Sequence, residues 1–399
     1  MLTDARDLSQ QLRVWRDHLH RHPELSFQEH ATQAYLREQL QALGLRVQPI
    51  ADTGLLVDLS ASEDPDARAP VVALRADMDA LPIQELEGRP HGSQVDGVMH
   101  ACGHDAHMTC LLGAAALLLR HRGRLGSSIR LIFQPGEELL PGGATRIIAE
   151  GGLEGVGAIC ALHVDPSLPV GKFGTRPGAY MASADEVYLT LRGTGGHGAL
   201  AHKHVDLLAT QAQLLVGLQQ VVSRKAPPDV PTVLSFGHIE SFHGATNVLA
   251  DRVELAGTLR TYDEAWRSEA HGWIRRIAQS TAQAFGAELD VEIRKGYPAL
   301  SNDDRCHQTV LAALQDLVGQ EQVKALALRP TAEDFAWYLQ HVPGCFFRLG
   351  VRNEATGITH GVHTAAFDVD PDALAFGAAG LAVAAIRLSQ QAPLRASVV

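Results

Sequence analysis

Short apolar runs and amphipathic stretches alternate along the first 180 residues of the chain. The apolar runs are bounded by Gly, Pro or charged residues, which is typical of buried strands, and they lie at 55–57, 71–74, 129–133 and 158–162. The stretches between them have a helical pattern, at 29–43, 105–120 and 144–150. Strands that alternate with helices predict an α/β sheet with helices on its faces.

The pattern of elements changes at residue 183. From there the segments follow the β-α-β-β-α-β order of a ferredoxin-like domain. The strands are at 186–192, 232–239, 252–260 and 288–294, and the helices are at 205–222 and 263–285. The first of these helices is amphipathic, and we expect its buried stripe to be Leu208, Ala212, Leu215 and Val222.

Helices and strands alternate again after residue 296. We predict helices at 303–317, 332–339 and 371–388 and a strand at 345–349. Because these strands are too few for a separate sheet, they should complete the first one. We therefore predict an α/β domain over residues 1–182 and 296–399, interrupted by a ferredoxin-like domain at 183–295. The end of the chain, at 392–399, is expected to fray.

The composition narrows the class of protein. Hydrophobic residues make up 46% and charged residues 20% of 399 residues, which is ordinary globular composition. Lys and Arg number 34 against 45 Asp and Glu, a net charge of −11 that argues against nucleic acid or an anionic membrane as partner. The longest apolar run, 110–119, is too short to span a bilayer, and the N-terminus lacks the apolar region of a secretory signal. We expect a cytoplasmic protein.

Cysteine and histidine usage points to metal rather than to disulfides. The five cysteines are odd in number and irregular in spacing, so they do not form a disulfide scaffold. The 20 histidines are the compositional anomaly, and histidine is the commonest metal ligand. In MHACGHDAH, Cys102 and His104 flank Gly103, which lets the backbone turn so that both side chains converge. This pair suits zinc, with manganese or cobalt as alternatives; the competing interpretation is a buried cysteine among chance histidines.

Other candidate side chains follow apolar strands or lie in a loop. In FQPGEE, Glu137 and Glu138 come just after a strand, where α/β sheets bind ligands. One could bind metal and the other act as a base; the alternative is a solvated acidic loop. His163 ends an apolar run and could instead be a core histidine, while His360 and His363 could be ordinary surface residues.

Together these side chains make up the inventory of a two-metal hydrolytic site with one carboxylate left over as general base. The chain has no Gly-x-Ser-x-Gly elbow for a serine nucleophile, and it has no phosphate-cradling G-x-x-x-x-G-K-[ST] loop.

Eight stretches match one family pattern: HRHPELSFQEHAT (20–32), ALRADMDALPIQE (73–85), MHACGHDAHMT (99–109), FQPGEE (133–138), ALHV (161–164), GGHGA (195–199), NVLADRVELAGTLRT (247–261) and TAEDFAWY (331–338). From about residue 12 to residue 385, the chain resembles the aminoacylases, hippurate hydrolases and auxin-conjugate hydrolases of the metal-dependent aminoacylase/carboxypeptidase superfamily.

The resemblance implies a catalytic α/β domain interrupted by a lid domain through which the chain forms a homodimer or a higher homo-oligomer. It implies two divalent ions, zinc or manganese, with cobalt and nickel as alternatives. It implies the metal ligands Cys102, His104, Glu138, His163 and His363, with Cys102 shared between the ions. Glu137 would be the general base. The lid residues around the substrate would be His197, Asn247 and Arg260.

The activity so implied is hydrolysis of N-acyl-L-amino acids to a carboxylic acid and a free amino acid. His197 would stabilise the oxyanion, and Asn247 and Arg260 would bind the amino acid carboxylate. A dipeptidase or carboxypeptidase would use the same site. A non-catalytic metal- or ligand-binding relic is disfavoured because Glu137 is present.

Asp77 and Asp105 are expected to orient a histidine or to hold a loop rather than to bind metal. The chain departs from the family pattern at residues 200–204 (LAHKH) and after His363, which should affect substrate preference; His202 and His204 are expected on a solvent-facing surface.

Overall fold

The computed structural model describes residues 1–61 and 71–391, so the expected frayed end at 392–399 lies outside the described residues. The chain divides into two compact units. The first comprises Met1–Gly178, Ser301–Ala327 and Asp334–Val399. The second comprises Ala179–Leu300 and Leu328–Glu333.

Helices and strands follow one another along the described residues. The helices are α1 (Leu2–Asp7), α2 (Ser9–Arg21), α3 (His30–Ala42), α4 (His104–Arg120), α5 (Gly143–Ala149), α6 (Leu207–Gln220), α7 (Glu264–Ala284), α8 (Asp304–Val318), α9 (Ala336–Leu339) and α10 (Ala373–Ser389). The strands are β1 (Val47–Ile50), β2 (Gly54–Leu59), β3 (Val71–Asp77), β4 (Ile129–Gln134), β5 (Val156–Pro169), β6 (Phe173–Thr175), β7 (Gly178–Met181), β8 (Asp185–Arg192), β9 (Gly196–His197), β10 (Thr232–Phe242), β11 (Val248–Leu249), β12 (Arg252–Thr261), β13 (Glu288–Lys295), β14 (Leu300–Asn302), β15 (Val323–Ala325) and β16 (Gly344–Arg352).

The first unit is built on an eight-stranded sheet of order β1-β2-β4-β3-β5-β16-β6-β15. Its centre, β4-β3-β5-β16, is parallel. Strands β3 and β16 are buried along nearly their whole length because helices such as α4 and α10 cover the sheet, and α10 is itself buried on nearly every face. As expected, a strand from the C-terminal part of the chain, β16, joins the sheet of the N-terminal part.

The second unit contains an antiparallel sheet of order β10-β12-β8-β13. With α6 after β8 and α7 after β12, the chain order is β-α-β-β-α-β, as the sequence predicts for a ferredoxin-like insertion. The unit has its own apolar core between the sheet and these two helices. The predicted fold class is confirmed.

Two local predictions were wrong, and one predicted strand is longer than expected. The buried residues of α6 are Leu207, Thr210, Leu214 and Leu218, and the expected stripe residues Leu208 and Ala212 are exposed. The strand predicted at 158–162 continues beyond His163 to Pro169, because β16 supplies hydrogen-bond partners along that length. The helix predicted at 332–339 is limited to the single turn α9.

The shortening of α9 has a visible cause in Asp334. Its carboxylate accepts hydrogen bonds from Arg75 Nη2 at 2.6 Å, from Gln134 Nε2 at 2.7 Å and from the Ala144 N–H at 3.1 Å. These contacts hold the chain in place before Ala336, so the helix begins only there. Among the described residues, none of the helices combines the length and apolar character needed to cross a membrane.

Candidate metal centre

The candidate side chains of the first unit gather at one edge of its sheet. Glu137 and Glu138 follow β4, His163 lies in β5, and His363 lies in the loop after β16. Since β3, β4, β5 and β16 run parallel, their carboxyl ends meet at the same edge. Cys102 reaches this edge from the turn that precedes α4, beside the first helical residue, His104.

Cys102 is at the centre of the cluster. Its Sγ is 3.4 Å from His163 Nε2 and 3.3 Å from His363 Nε2. Glu138 Oε1 is 3.2 Å from His363 Nε2 and 4.0 Å from His104 Nε2. Gly103 makes the turn with φ of 87°, and a Cβ there would lie 2.6 Å from Val164 Cγ2, so a glycine is required.

Hydrogen bonds fix which ring nitrogens of two histidines face the cluster. His104 Nδ1 donates to the carbonyl oxygen of Asp79 at 2.8 Å, and His163 Nδ1 donates to the carbonyl oxygen of Val164 at 2.7 Å. Because a carbonyl can only accept, both Nδ1 atoms carry a proton, and the Nε2 atoms are the ring nitrogens directed at the cluster. This is the usual arrangement of metal-binding histidines.

His107 belongs to the same motif but has no lone pair to offer. Its Nε2 accepts from the Val164 N–H at 2.9 Å, and its Nδ1 donates to Asp77 Oδ1 at 2.6 Å. Asp77 also pairs with Arg75 Nη1 at 2.6 Å. Although burial opposes it, the charge of Arg75 holds the pKa of Asp77 well below its usual range. Asp77 and His107 therefore support the backbone beside His163.

The two glutamates project from a tight turn. Gly136 has φ of 59°, and a Cβ there would lie 2.4 Å from the ring of Phe27, so only glycine fits. The N–H of Gly136 donates to buried Glu29 Oε1 at 2.8 Å. Because this turn is tied down on both sides, Glu137 and Glu138 start from a fixed backbone.

Asp79 organises the turn from the opposite side. Its Oδ1 accepts the N–H of Glu137 at 3.0 Å, and its Oδ2 accepts the N–H of Glu138 at 2.9 Å. Ser26 Oγ donates to the same carboxylate at 2.6 Å. Asp79 was not among the residues predicted from the sequence. Its position just beyond the end of β3 is the signal that points to it.

The electrostatics suit a cation. Burial, with the charge of Arg348, lowers the pKa of His163 well below its usual range, so this ring is neutral. Burial raises the pKa of the Cys102 thiol. Hydrogen bonds to Cys102 and Glu138 raise the pKa of His363 to about 10. Binding of a divalent cation to these atoms therefore releases protons.

The donor atoms form two groups that share Cys102. One group is Cys102, His104 and His163, and the other is Cys102, Glu138 and His363; within each group the ligand atoms lie within 4.8 Å of one another. His104 Nε2 is buried and has no hydrogen-bond partner among the described residues. A buried polar atom without a partner is the expected signature of a cation ligand. The residues present therefore fit a pair of divalent ions.

The three candidates of the second unit lie on two sheets. His197 ends β9 and is paired with Val248 of β11. Asn247 precedes β11, and its carbonyl oxygen accepts the Gly198 N–H at 2.8 Å, so His197 and Asn247 are neighbours. Both side chains are exposed. Arg260 lies in β12 of the four-stranded sheet and is half-buried.

Arg260 has no ion pair or hydrogen bond from its side chain among the residues that the structure describes. Burial lowers its pKa, and the charge of Asp185 opposes that shift. Glu254, a carboxylate of the same strand, lies 3.4 Å from Arg252 instead. The guanidinium of Arg260 could therefore pair with a carboxylate that does not belong to the second unit.

Comparison with known proteins assigns the class. Residues 73–387 match the model of peptidase family M20/M25/M40, and the chain belongs to this family. It is 37% identical over 371 residues to an N-acetyl-L-cysteine deacetylase of Bacillus subtilis, covering 92% of this chain and 85% of that protein. It is 36% identical to the thermostable carboxypeptidase 2 of Saccharolobus solfataricus, covering 97% and 98% of the two chains.

The fold and site agree with that assignment. The crystal structure of the Bacillus subtilis YXEP protein, described as a dinuclear metal-binding peptidase of family M20, has a TM-score of 0.85 at 33% identity and covers 97% of this chain and 99% of its own. The protein is therefore a metal-dependent hydrolase of amide bonds. The roles of the individual residues and the substrate remain predictions.

Proposed function

We propose that the protein cleaves the amide bond of N-acyl-L-amino acids, releasing a carboxylic acid and a free amino acid. The observation that carries this proposal is the pair of donor groups that share Cys102, beside the buried carboxylate of Glu137. The similarity to an N-acetyl-L-cysteine deacetylase supports this substrate class.

The proposed ligands are Cys102, His104, Glu138, His163 and His363. Thiolate, imidazole and carboxylate together suit zinc or manganese, with cobalt and nickel as alternatives. Two such ions, when bound, lower the pKa of a coordinated water and polarise the carbonyl of the substrate.

Glu137 is proposed as the general base. It is buried, its N–H is fixed by Asp79, and its Oε1 accepts the Asp334 N–H at 3.4 Å, so its carboxylate is held close to the ligand Glu138. The carboxylate takes a proton from the attacking water and delivers it to the leaving amine.

The second unit is proposed to contribute substrate contacts. The imidazole of His197 stabilises the developing oxyanion, while Asn247 and Arg260 bind the carboxylate of the amino acid. Two observations support these roles. His197 and Asn247 are exposed neighbours, and the guanidinium of Arg260 lacks an ion-pair partner among the described residues.

A dipeptidase or carboxypeptidase acting through the same site is the alternative that the carboxypeptidase relative favours. Release of free amine should be measured on N-acetyl amino acids, N-benzoyl amino acids and dipeptides, with and without a chelator. We expect the acyl amino acids to be cleaved fastest and the chelator to abolish cleavage. Faster cleavage of dipeptides would favour the alternative, and no cleavage of any substrate by metal-loaded protein would favour a binding protein.

We also propose that the chain forms a homodimer or a higher homo-oligomer through its second unit. In α6, Leu208 and Val216 are 50% and 66% exposed. In the edge strand β10, Val233 and Ile239 are 45% and 47% exposed. Exposed apolar side chains beside an unpaired strand edge are typical of a surface that another chain covers.

A further inference from the structure

His363 has a strained backbone for a proposed ligand. Its φ is 61°, in the left-handed region that residues other than glycine seldom adopt. Such a conformation persists only where the surroundings enforce it. The side chain is 51% exposed, and its ring contacts Cys102 Sγ at 3.3 Å and Glu138 Oε1 at 3.2 Å. The His363 N–H donates to the Ala101 carbonyl at 2.8 Å, which fixes one side of the residue.

The constraint on the other side comes from the segment 86–89. The Leu86 N–H donates to the carbonyl of Ala365 at 3.1 Å. Arg89 donates from Nη2 to the carbonyl of Ala366 and from Nη1 to the carbonyl of Phe367, the latter at 2.5 Å. Three consecutive carbonyls after His363 are therefore held, and the planar fork of one guanidinium spans two of them.

Carboxylates hold Arg89 and the rest of this loop in turn. Glu85 Oε1 accepts from Arg89 Nη1 at 3.0 Å. Buried Arg16 donates from Nε to Asp105 at 2.7 Å and from Nη2 to Asp368 at 2.8 Å. Asp105 is adjacent to the proposed ligand His104, so Arg16 connects the first turn of α4 directly to the end of the His363 loop.

His20 connects Asp105 to Glu85. Its Nδ1 is 2.8 Å from Asp105 Oδ2, and its Nε2 is 3.1 Å from Glu85 Oε1. The series Asp368–Arg16–Asp105–His20–Glu85–Arg89 therefore starts at Asp368 of this loop and returns to the loop through the hydrogen bonds of Arg89. Its four inner side chains are buried. Because each of the four inner groups lies between two groups of opposite charge, the loop has little freedom to shift relative to α4.

We propose that Arg89 is a positioning residue that keeps His363 in its left-handed conformation and so directs the imidazole at Cys102 and Glu138. The inference rests on the proposed function. Without the guanidinium fork, the loop relaxes toward ordinary φ at His363, and the group Cys102–Glu138–His363 loses a ligand. The group Cys102–His104–His163 does not involve this loop and keeps its ion.

The test is metal binding by Arg89→Ala and Arg89→Lys in the full chain, with Zn²⁺ or Mn²⁺ alone as probe. Stoichiometry comes from elemental analysis and affinities from calorimetric titration. We expect two ions on the wild type; on each variant, one ion should bind at wild-type affinity and the second roughly 10- to 100-fold more weakly. Arg89→Lys preserves the charge opposite Glu85, and hence the fold, but removes the fork.

Chemical rescue distinguishes a positioning role of the Arg89 guanidinium from a general loss of stability in the variant. Arg89 lines a cavity of about 230 Å³ that also includes Glu85, and its side chain is 19% exposed, so solute can enter the space that Arg89→Ala creates. Millimolar guanidinium chloride should restore binding of the second ion to Arg89→Ala, whereas sodium chloride should not.

Arg130→Ala is the matched control, because Arg130 also joins two backbone carbonyls, of Gly152 and Glu154, and a carboxylate, of Asp58. It should bind both ions normally. Wild-type affinity for both ions in either Arg89 variant, equal weakening of both ions, or failure of guanidinium to rescue would overturn the inference. A wild-type chain that binds no ion would instead overturn the proposed function itself.

Discussion

Cys102 differs from the other cysteines in what surrounds it. All five thiols are buried, but Cys102 contacts two imidazoles, whereas Cys110 faces the Leu374 carbonyl at 3.7 Å inside the core. A thiol among uncharged core atoms is a small apolar side chain, while a thiol among lone pairs is a potential ligand. Cys102 and Cys110 are equally buried, so it is the neighbouring atoms that make Cys102 a candidate ligand and Cys110 a core residue.

Cys102→Ala should therefore lower the content of both ions, because the two donor groups share this sulfur. Elemental analysis after dialysis should show a loss of at least one ion per chain. Cys110→Ala removes a buried thiol from the same motif region and should bind both ions normally. Full metal content in Cys102→Ala would show that Cys102 is an ordinary core thiol.

Glu137 and Glu138 are adjacent, but the proposal gives them different chemistry. Glu137→Gln should fold and bind both ions yet lose at least ~100-fold in kcat, the usual worth of general base catalysis. Glu138→Gln should instead lose metal, because an amide is a weaker ligand than a carboxylate. Near-normal turnover by Glu137→Gln, measured on the best substrate of the panel, would contradict the assignment.

The apolar strands were enough to predict that Glu137, Glu138 and His163 would lie at one edge of the sheet, because parallel strands end at the same edge. The choice of His363 over His360 rested on the family resemblance. Asp79, which follows the end of β3, fits the same rule although it was not predicted, whereas Arg89 could not be found in this way. Arg89 acts on carbonyls 277 and 278 residues later in the chain. A side-chain contact with a distant backbone carbonyl leaves no periodic pattern in the sequence.

Among the elements, the long apolar strands and helices were predictable and the marginal ones were not. β6 and β15 have only three residues each and depend on pairing with neighbouring strands. α9 is shorter than its pattern suggests because the contacts of Asp334 override local preference. The stripe of α6 was misjudged because apolar residues occur around most of that helix, so the sequence alone did not distinguish the face that packs on the sheet.

Glu85, in the segment 85–93, should make the free energy of unfolding decrease at acidic pH. Burial opposes ionisation of Glu85, but its contacts with His20, Ser93 and Arg89 lower its pKa to about 2 from the ordinary value of 4.5. A pKa that is lowered in the folded state contributes stability above pH 4.5, and that contribution is lost as the pH falls from 4.5 to 2.

Denaturant unfolding of wild type and Glu85→Gln across this range measures the effect. The wild type should lose stability more steeply on acidification, by up to ~1.4 kcal/mol per pH unit for one proton. The exposed neighbour Glu87 provides the control, since Glu87→Gln should retain the wild-type slope. Parallel slopes for wild type and Glu85→Gln would contradict the prediction.

Strand β12 places Arg260 beside Val233 of β10 without an acidic partner among the described residues. Arg260→Ala should lower kcat/KM for N-acyl amino acids by about 10- to 150-fold, the worth of one charged hydrogen bond. The matching N-acyl amino acid amides lack the carboxylate and should lose much less. An equal loss on acid and amide, with a lower melting temperature, would show that Arg260 only supports the fold.

At the scale of the whole molecule, each unit supplies a different part of the chemistry that we propose. The first holds the ligand candidates on a buried parallel sheet, where the fixed ends of several strands converge. The second has an antiparallel sheet whose strand β10 is paired only with β12 among the described residues and exposes most of its side chains. An edge of this kind invites pairing with another chain.

The exposed face of α6 also argues for an oligomer. Leu208 and Ala212, expected in the core from their spacing, lie on this face with Val216; the three are four residues apart and all exposed.

Val216→Asp places a charge at the centre of an apolar surface and should convert a dimer to monomers, as measured by light scattering after size exclusion. Because Val216 is not in the core of its own chain, the monomer should still unfold cooperatively. Gln279→Asp puts the same charge on the exposed face of α7 and should leave the assembly intact. A monomeric wild type, or a dimer that survives Val216→Asp, would show that this surface is not the interface.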